Sequence, residues 1–111
     1  MINVKVYIEN EADFLDDDVS VSFKLPAIPR VGERIFLTEQ LQSQLENMAR
    51  SSLDKASNYR NWFYRYSHYV RNGDDIKENN LKDLSFDDAS YVTHVVFIPD
   101  DDTVYIELGI S

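Results

Sequence analysis

The side chains with the widest chemical range in this chain are its two histidines, His68 and His94. An imidazole can bind zinc or carry a proton, but a metal site needs further ligands at helical or strand spacing, and neither histidine has them. His94 could join Ser90 or an aspartate as a catalytic set, although such sets assemble only in space. We therefore predict that both histidines are structural, and that the chain is not an enzyme and holds no metal or cofactor.

Runs of aspartate are the second candidate for chemistry, since calcium takes about six to eight oxygen ligands. The aspartates at 16–18 and at 100–102 lack the alternating ligands and the central glycine of a calcium-binding loop. Consecutive aspartates on a strand edge or in a turn also point in different directions. We predict that both runs are solvated turns.

The overall charge is strongly acidic, with 20 Asp and Glu against 11 Lys and Arg and a formal net charge of −9. This charge repels phosphates and anionic lipids, so direct binding to nucleic acid or to a membrane is not expected. The alternating start of the chain lacks the apolar run of a signal peptide, no segment nears the roughly 20 apolar residues of a membrane span, and cysteine is absent. These features predict a soluble cytoplasmic protein.

Aromatic and basic residues are interleaved over residues 59–71. Flat rings contribute large contact areas and guanidinium groups pair with carboxylates, which is typical of protein interfaces. We predict a surface for a protein partner or a second copy at Trp62, Tyr64, Arg65 and Tyr69. The alternative interpretation is that this wide aromatic helix face packs on the sheet.

A helix is predicted over about residues 39–71, because apolar residues recur at steps of three and four. This stripe contains Leu41, Leu45, Met48, Ala56, Tyr59, Phe63, Tyr66 and Val70. Thr38 can cap its start and Gly73 can end it. A helix of about 50 Å is too long for a small sheet to cover. Either it breaks around residues 51–57, or it stays continuous and packs on a second copy as a homodimer. The lack of Gly and Pro favours the second alternative.

Strands are predicted in five segments, at about residues 2–8, 19–25, 34–37, 91–98 and 103–110. The first two segments alternate strictly between apolar and polar residues, and the last two form a closing hairpin. Because residues 91–98 are apolar on both faces, we expect this strand at the centre of the sheet, with the helix covering its second face.

The order of these strands resembles small five-stranded barrels of the SH3-like kind. The resemblance is carried by Pro29-Arg30-Val31-Gly32-Glu33 and by Tyr91-Val92-Thr93-His94-Val95, and it implies an interaction scaffold. An open sheet with one covering helix fits the same pattern. We therefore predict one α+β domain over residues 1–111, with a small antiparallel sheet or SH3-like five-stranded barrel and a long helical insertion between strands 3 and 4.

Two functions fit these features. The first is a non-enzymatic protein-interaction or assembly module, in which the long aromatic helix contacts a partner or a second copy. The alternative is a small acidic inhibitor or nucleic-acid mimic that blocks a basic surface on its target. The excess length of the helix favours the first function, and the net charge favours the second.

Overall fold

Four strands and one helix of several turns make up the described part of the chain, which in this computed structural model comprises residues 1–9, 19–52, 64–67 and 82–110. The strands are β1 (Ile2–Ile8), β2 (Ser20–Leu25), β3 (Tyr91–Phe97) and β4 (Thr103–Gly109), and the helix is α1 (Glu39–Ser51). Each strand falls on a segment whose apolar and β-branched residues predicted one. The chain has a small α+β fold.

The strands form one mixed sheet in the spatial order β2-β1-β4-β3. β1 pairs antiparallel with β2, and β3 pairs antiparallel with β4, so each half is a two-stranded ribbon. The ribbons meet where β1 and β4 pair in parallel. The sheet is therefore not purely antiparallel, because β4 runs beside β1 in the same direction. β2 and β3 lie at opposite edges, and within the described ranges no pairing between them closes a barrel.

The core lies on one face of the sheet, against α1. Its sheet side consists of apolar residues that alternate along the strands, namely Val4, Val6, Ile8, Val21, Val92, Val104, Ile106 and Leu108. From α1, Leu45 and Ala49 are buried against them, and Leu41 and Met48 are partly buried. Fully burying a Leu or Val side chain stabilises a fold by about 1.5–3 kcal/mol. The first part of the predicted helical stripe therefore faces the core.

α1 begins and ends at polar caps. Thr38 Oγ1 accepts a hydrogen bond from the Leu41 N–H at 3.2 Å, which is the N-cap that the sequence predicts. At the other end the Ser52 N–H donates to the Met48 carbonyl at 3.0 Å, and Ser52 itself leaves the helical conformation. α1 therefore ends at Ser51 and Ser52. A break near these serines was the alternative that the sequence left open, against one continuous helix over residues 39–71.

The rest of the predicted helix falls mostly outside the described ranges. Residues 64–66 form a helical turn, and the next residue, Ser67, makes an isolated antiparallel bridge with Leu84. A helix that continues through Ser67 to residue 71 is not confirmed, because the backbone of Ser67 is paired in a bridge. No helix in the described part of the chain is long and apolar enough to span a membrane.

The third predicted strand, residues 34–37, is reduced to a short pairing beside β3. Arg34 forms an isolated antiparallel bridge with Tyr91, and the Gly32 N–H donates to the Val92 carbonyl at 2.8 Å. Gly32 has a φ of 92°, a left-handed conformation that glycine adopts without steric cost. The pairing therefore covers only the first two residues of β3.

β3 lies at the edge of the four-stranded sheet, so the prediction of a central position for this strand is wrong. β4 occupies one side of β3, and on the other side the short segment around Arg34 is its only neighbour among the described residues. β1 and β4 take the central positions. Tyr7 of β1 and Glu107 of β4 lie on the face of the sheet away from the core, and they are buried as well. Apolar composition indicates that a strand is shielded from water, but it does not indicate which neighbouring strands shield it.

The hairpin between β3 and β4 turns on Pro99 and Asp100. The Asp101 N–H donates to the Ile98 carbonyl at 3.1 Å, which places Pro99 at the second position of the turn. Asp100 has a φ of 65°, and it is the only residue other than glycine with a positive φ in the described ranges. A type II turn requires a positive φ at this position, where glycine is usually found.

Replacing Asp100 with glycine is predicted to stabilise the protein. Glycine adopts a positive φ without the steric cost of a Cβ, so Asp100→Gly should raise the free energy of unfolding by up to about 1 kcal/mol. Urea unfolding measures the difference. Asp102→Gly is the matched control, because Asp102 does not have a positive φ and glycine there should leave stability unchanged or lower it. Equal stabilisation by both substitutions would contradict the prediction.

Candidate functional site

Two of the four residues predicted to bind a partner belong to the described part of the chain. Tyr64 and Arg65 lie in the short helical turn, whereas Trp62 and Tyr69 lie outside the described ranges. Tyr64 is half-buried, and Arg65 Nη2 lies 2.8 Å from Oε1 of Glu9, just past β1. The described part of the aromatic run therefore contacts the end of the sheet.

Glu9 is the centre of a polar cluster at that end. Besides the Arg65 guanidinium, its Oε1 accepts a hydrogen bond from the Tyr66 hydroxyl at 3.0 Å. The buried Tyr66 ring packs edge-on against Phe86, with the ring centroids 5.2 Å apart. Burial raises the pKa of the Tyr66 hydroxyl, and the negative charge of Glu9 raises it further. Tyr66 therefore keeps its proton and remains a donor to Glu9.

Gly109 provides the space that the Glu9 carboxylate occupies. The parallel pairing of β1 and β4 continues past its last strand residues, where the Glu9 N–H donates to the Leu108 carbonyl at 2.8 Å. A Cβ at Gly109 would lie 2.6 Å from Cδ of Glu9 and 3.1 Å from Cγ2 of Thr93. The first distance is shorter than carbon atoms can approach, so a side chain at this position would push the Glu9 carboxylate aside.

Glu107 of β4 is a buried carboxylate that pairs with His94. Glu107 Oε1 accepts a hydrogen bond from Thr93 Oγ1 at 2.7 Å and lies 2.9 Å from Nδ1 of His94. Ser90 lies four residues before His94, a separation of about 13 Å in an extended chain and too far for a catalytic relay. Among the described residues, no three His, Asp or Glu side chains are grouped so that they could hold a metal ion.

The outer edge of β3 is open at residues 95–97, which we call the open β3 edge. Within the described ranges no backbone group pairs with these residues on the side away from β4. Such an edge presents N–H and C=O groups to other chains, and lysines or prolines commonly block it. The open β3 edge contains neither, whereas β2 at the opposite edge exposes Lys24.

Exposed apolar side chains adjoin the open β3 edge. Phe97 is 62% exposed, and the next residue, Ile98, is 39% exposed. Phe97 lies opposite Val104, near the start of β4, and β1 starts at the same end of the sheet, where Met1 is also exposed. Exposed apolar groups that lie together are typical of interaction sites.

The turn after β3 contains three exposed aspartates at the end of the strand that carries Phe97. This acidic turn consists of Asp100, Asp101 and Asp102. Asp101 accepts hydrogen bonds from the Tyr105 hydroxyl and, at 2.9 Å, from the Thr103 N–H. The Tyr105 bond, followed by the Thr103 bond, lowers the pKa of Asp101. Asp101 is therefore ionised at neutral pH, and the aspartates at 100–102 do form the solvated turn that the sequence predicts.

A cavity of about 280 Å³ lies at the other end of β3, lined in part by Arg34, Phe36, Asp88 and Tyr91. The Arg34 guanidinium lies 4.2 Å from the centroid of the Tyr91 ring and donates to the Tyr91 hydroxyl. Because Tyr91 already holds the Arg34 cation and the remaining charge is acidic, the lining does not converge on one kind of ligand. The open β3 edge is therefore the stronger candidate for a binding site.

Comparisons with known proteins do not identify the chain. No protein-family model matches it, and neither do the curated proteins or the solved structures. Its function has to be inferred from the described residues themselves.

Sequence reasoning missed Glu9, Gly109 and the open β3 edge. In the sequence, Glu9 reads as the start of an acidic connection after β1, and only the parallel partner strand makes it part of a cluster. The available sequence signal for polar contacts at this end of the sheet was Glu107, a charged residue among the apolar residues of β4. For the edge, the signal was the absence of Lys, Arg, Asp and Glu from β3.

Gly109→Ala is predicted to lower the free energy of unfolding by about 1–3 kcal/mol, because the new methyl group displaces the Glu9 carboxylate from Arg65 and Tyr66. Glu9→Ala should also destabilise the fold, since it leaves the buried Tyr66 hydroxyl without this acceptor. In the Glu9→Ala background, however, Gly109→Ala should cost much less, because the group it displaces is gone. Urea unfolding of the four proteins gives the coupling energy. Additive effects would contradict the prediction.

The raised pKa of Tyr66 predicts a loss of stability at alkaline pH. An unfolded tyrosine loses its proton near about pH 10, whereas folded Tyr66 keeps it. The stabilising contribution is therefore complete below about pH 10 and declines as the pH rises above that value. Tyr66→Phe should remove this part of the decline, measured as the free energy of unfolding against pH. Tyr105→Phe, at a less buried position, should retain it, and an unchanged decline in Tyr66→Phe would contradict the assignment.

Proposed function

We propose that this chain is a non-enzymatic protein-interaction module that binds an extended segment of another protein along the open β3 edge. One observation carries the proposal. Residues 95–97 combine backbone groups that no other described residue pairs on the side away from β4 with apolar side chains at the edge of the sheet.

The composition of β3 supports this proposal. The strand has no Lys, Arg, Asp or Glu and is rich in valine and aromatic residues. Strands of this kind are typical of the interior of a sheet, whereas exposed edge strands commonly carry charged residues. A strand added by a partner would give β3 the central position that its composition fits, and it would cover part of Phe97. Several known recognition domains bind extended peptides in this way.

The energies involved suggest a reversible complex. Each new backbone hydrogen bond contributes about 0.5–1.5 kcal/mol net, and covering the exposed part of Phe97 adds on the order of 1–2 kcal/mol. The open β3 edge is short, and association costs translational and rotational entropy. We therefore expect a dissociation constant in the micromolar range.

The internal pairing of the buried carboxylates favours binding over catalysis. Glu9 is held by Arg65 and Tyr66, and Glu107 is held by Thr93 and His94. Both carboxylates are therefore engaged by groups of the same chain.

A photo-crosslinking amino acid at position 97 tests the proposal in cells. Because the Phe97 side chain is exposed beside the open β3 edge, p-benzoylphenylalanine in its place should form adducts with a partner protein on irradiation. Peptide mapping should then locate the crosslink in one extended segment of that partner. Phe36 is the matched control position, since its ring is 73% exposed but lies away from the open β3 edge.

The proposal predicts adducts from position 97 and few or none from position 36. In addition, chain without the photo-crosslinker can be added to compete for the partner and so reduce the adducts. The Phe97→Ser chain should compete less well than the unmodified chain. Adducts of the same kind from both positions, or no adducts from position 97, would overturn the proposal.

A further inference from the structure

We infer that the segment bound at the open β3 edge runs antiparallel to β3 and is basic at its N-terminal end. This inference rests on the proposed function, because it identifies the kind of partner that the same edge accepts.

The direction follows from a pairing already present at this edge. The segment around Arg34 runs antiparallel to β3, with Arg34 opposite Tyr91. Antiparallel ladders are also slightly more stable per residue than parallel ones. A partner strand with the same direction would begin beside Phe97 and end near Val92, where the Gly32 N–H already occupies the edge.

The charge follows from the acidic turn. Asp100 and Asp102 are exposed in the turn that follows Phe97 and Ile98, at the end of β3 where an antiparallel partner strand would begin. Asp101 is instead bonded to Tyr105 of β4 and has its pKa lowered in part by Lys5 of β1, so Asp100 and Asp102 are the carboxylates that a partner can meet. A Lys or Arg of the partner opposite such a carboxylate strengthens binding modestly at the surface, and it also speeds association.

A second copy of this chain fits the open β3 edge less well. Two chains with a net charge of −9 repel each other. In an antiparallel pair of β3 strands, the acidic turn of one copy would also approach the start of β3 in the other. Asp87 and Asp88 are exposed there and outnumber the neighbouring Arg34 cation. The net charges that meet would have the same sign, so a basic segment of a different protein is favoured.

Synthetic peptides test the inference directly. The probe is end-capped, fluorescently labelled Lys-Lys-Val-Thr-Val-Thr-Val, titrated with the full chain and followed by fluorescence anisotropy. It should bind about three- to tenfold more tightly than an analogue with Ser-Ser in place of Lys-Lys, and a Glu-Glu analogue should bind most weakly. The reversed sequence has the same charge but carries its lysines away from the acidic turn, so it should lose most of the gain. Added salt should reduce the differences.

Paired variants of the chain locate the charge that is recognised. Asp100→Asn with Asp102→Asn removes two charges and leaves Asp101, which binds the Thr103 N–H, in place. This variant should bind the lysine and serine peptides nearly equally. Asp87→Asn with Asp88→Asn removes the same charge at the other end of β3 and should keep the preference. Loss of the preference in both variants, or equal affinity for every peptide, would overturn the inference and leave the proposed function standing.

Two further measurements separate this failure from a failure of the proposed function. Alternate N–H groups of a strand face opposite sides, so N-methylation of one alternate set in the lysine peptide should abolish binding and methylation of the other set should preserve it. Phe97→Ser should weaken binding of every peptide. If neither methylation pattern matters, if Phe97→Ser has no effect, or if no peptide binds, strand addition at β3 fails and the proposed function fails with it.

Sedimentation tests the alternative of a second copy. Dimers of the unmodified chain that are lost in Phe97→Ser would overturn the basic partner in favour of a second copy.

Discussion

The parallel pairing of β1 with β4 connects the two halves of this fold. The β1–β2 ribbon and the β3–β4 ribbon come from opposite ends of the chain, and within the described ranges no other strand pairing joins them. Val6 and Ile106 face each other across this pairing and have no exposed surface. The same pairing sets Glu9 beside Gly109 and leaves β3 as the last strand of the sheet. The buried polar cluster and the open β3 edge are therefore both consequences of one strand pairing.

Carboxylates have two different roles in this acidic chain. Glu107 is buried and Glu9 is partly buried, and each is compensated by hydrogen bonds and a neighbouring cationic or ionisable group. Compensation of this kind is needed because a buried charge without partners costs several kcal/mol. The acidic turn, in contrast, stays exposed. The exposed carboxylates carry the charge that the proposed partner would meet, while Glu9 and Glu107 organise the end of the sheet.

Local patterns predicted individual elements of this protein, and they failed where an element depends on a distant neighbour. Alternation located β1, and the capping preference of threonine located the start of α1 at Thr38. Periodicity alone extended the helix past Ser52, because an unbroken stripe does not reveal that a serine will end the helix. For the site, Arg65 stays a predicted partner contact, and the structure adds that it forms an ion pair with Glu9 of the same chain, which the sequence did not predict. No spacing in the sequence links residues this far apart.

The sequence by itself determined the composition of the strands, the caps, the turn at Pro99 and the strongly acidic character of the chain. These features depend on each residue's own conformational preferences and on those of its near neighbours. Only the tertiary structure decided that β4 runs parallel to β1, that β3 stays at the edge, and that Gly109 makes room for Glu9. Strand order depends on which apolar faces can be buried together once the whole chain has folded. An apolar strand such as β3 reports that it needs a neighbour, and the rest of the fold determines whether that neighbour comes from the same chain.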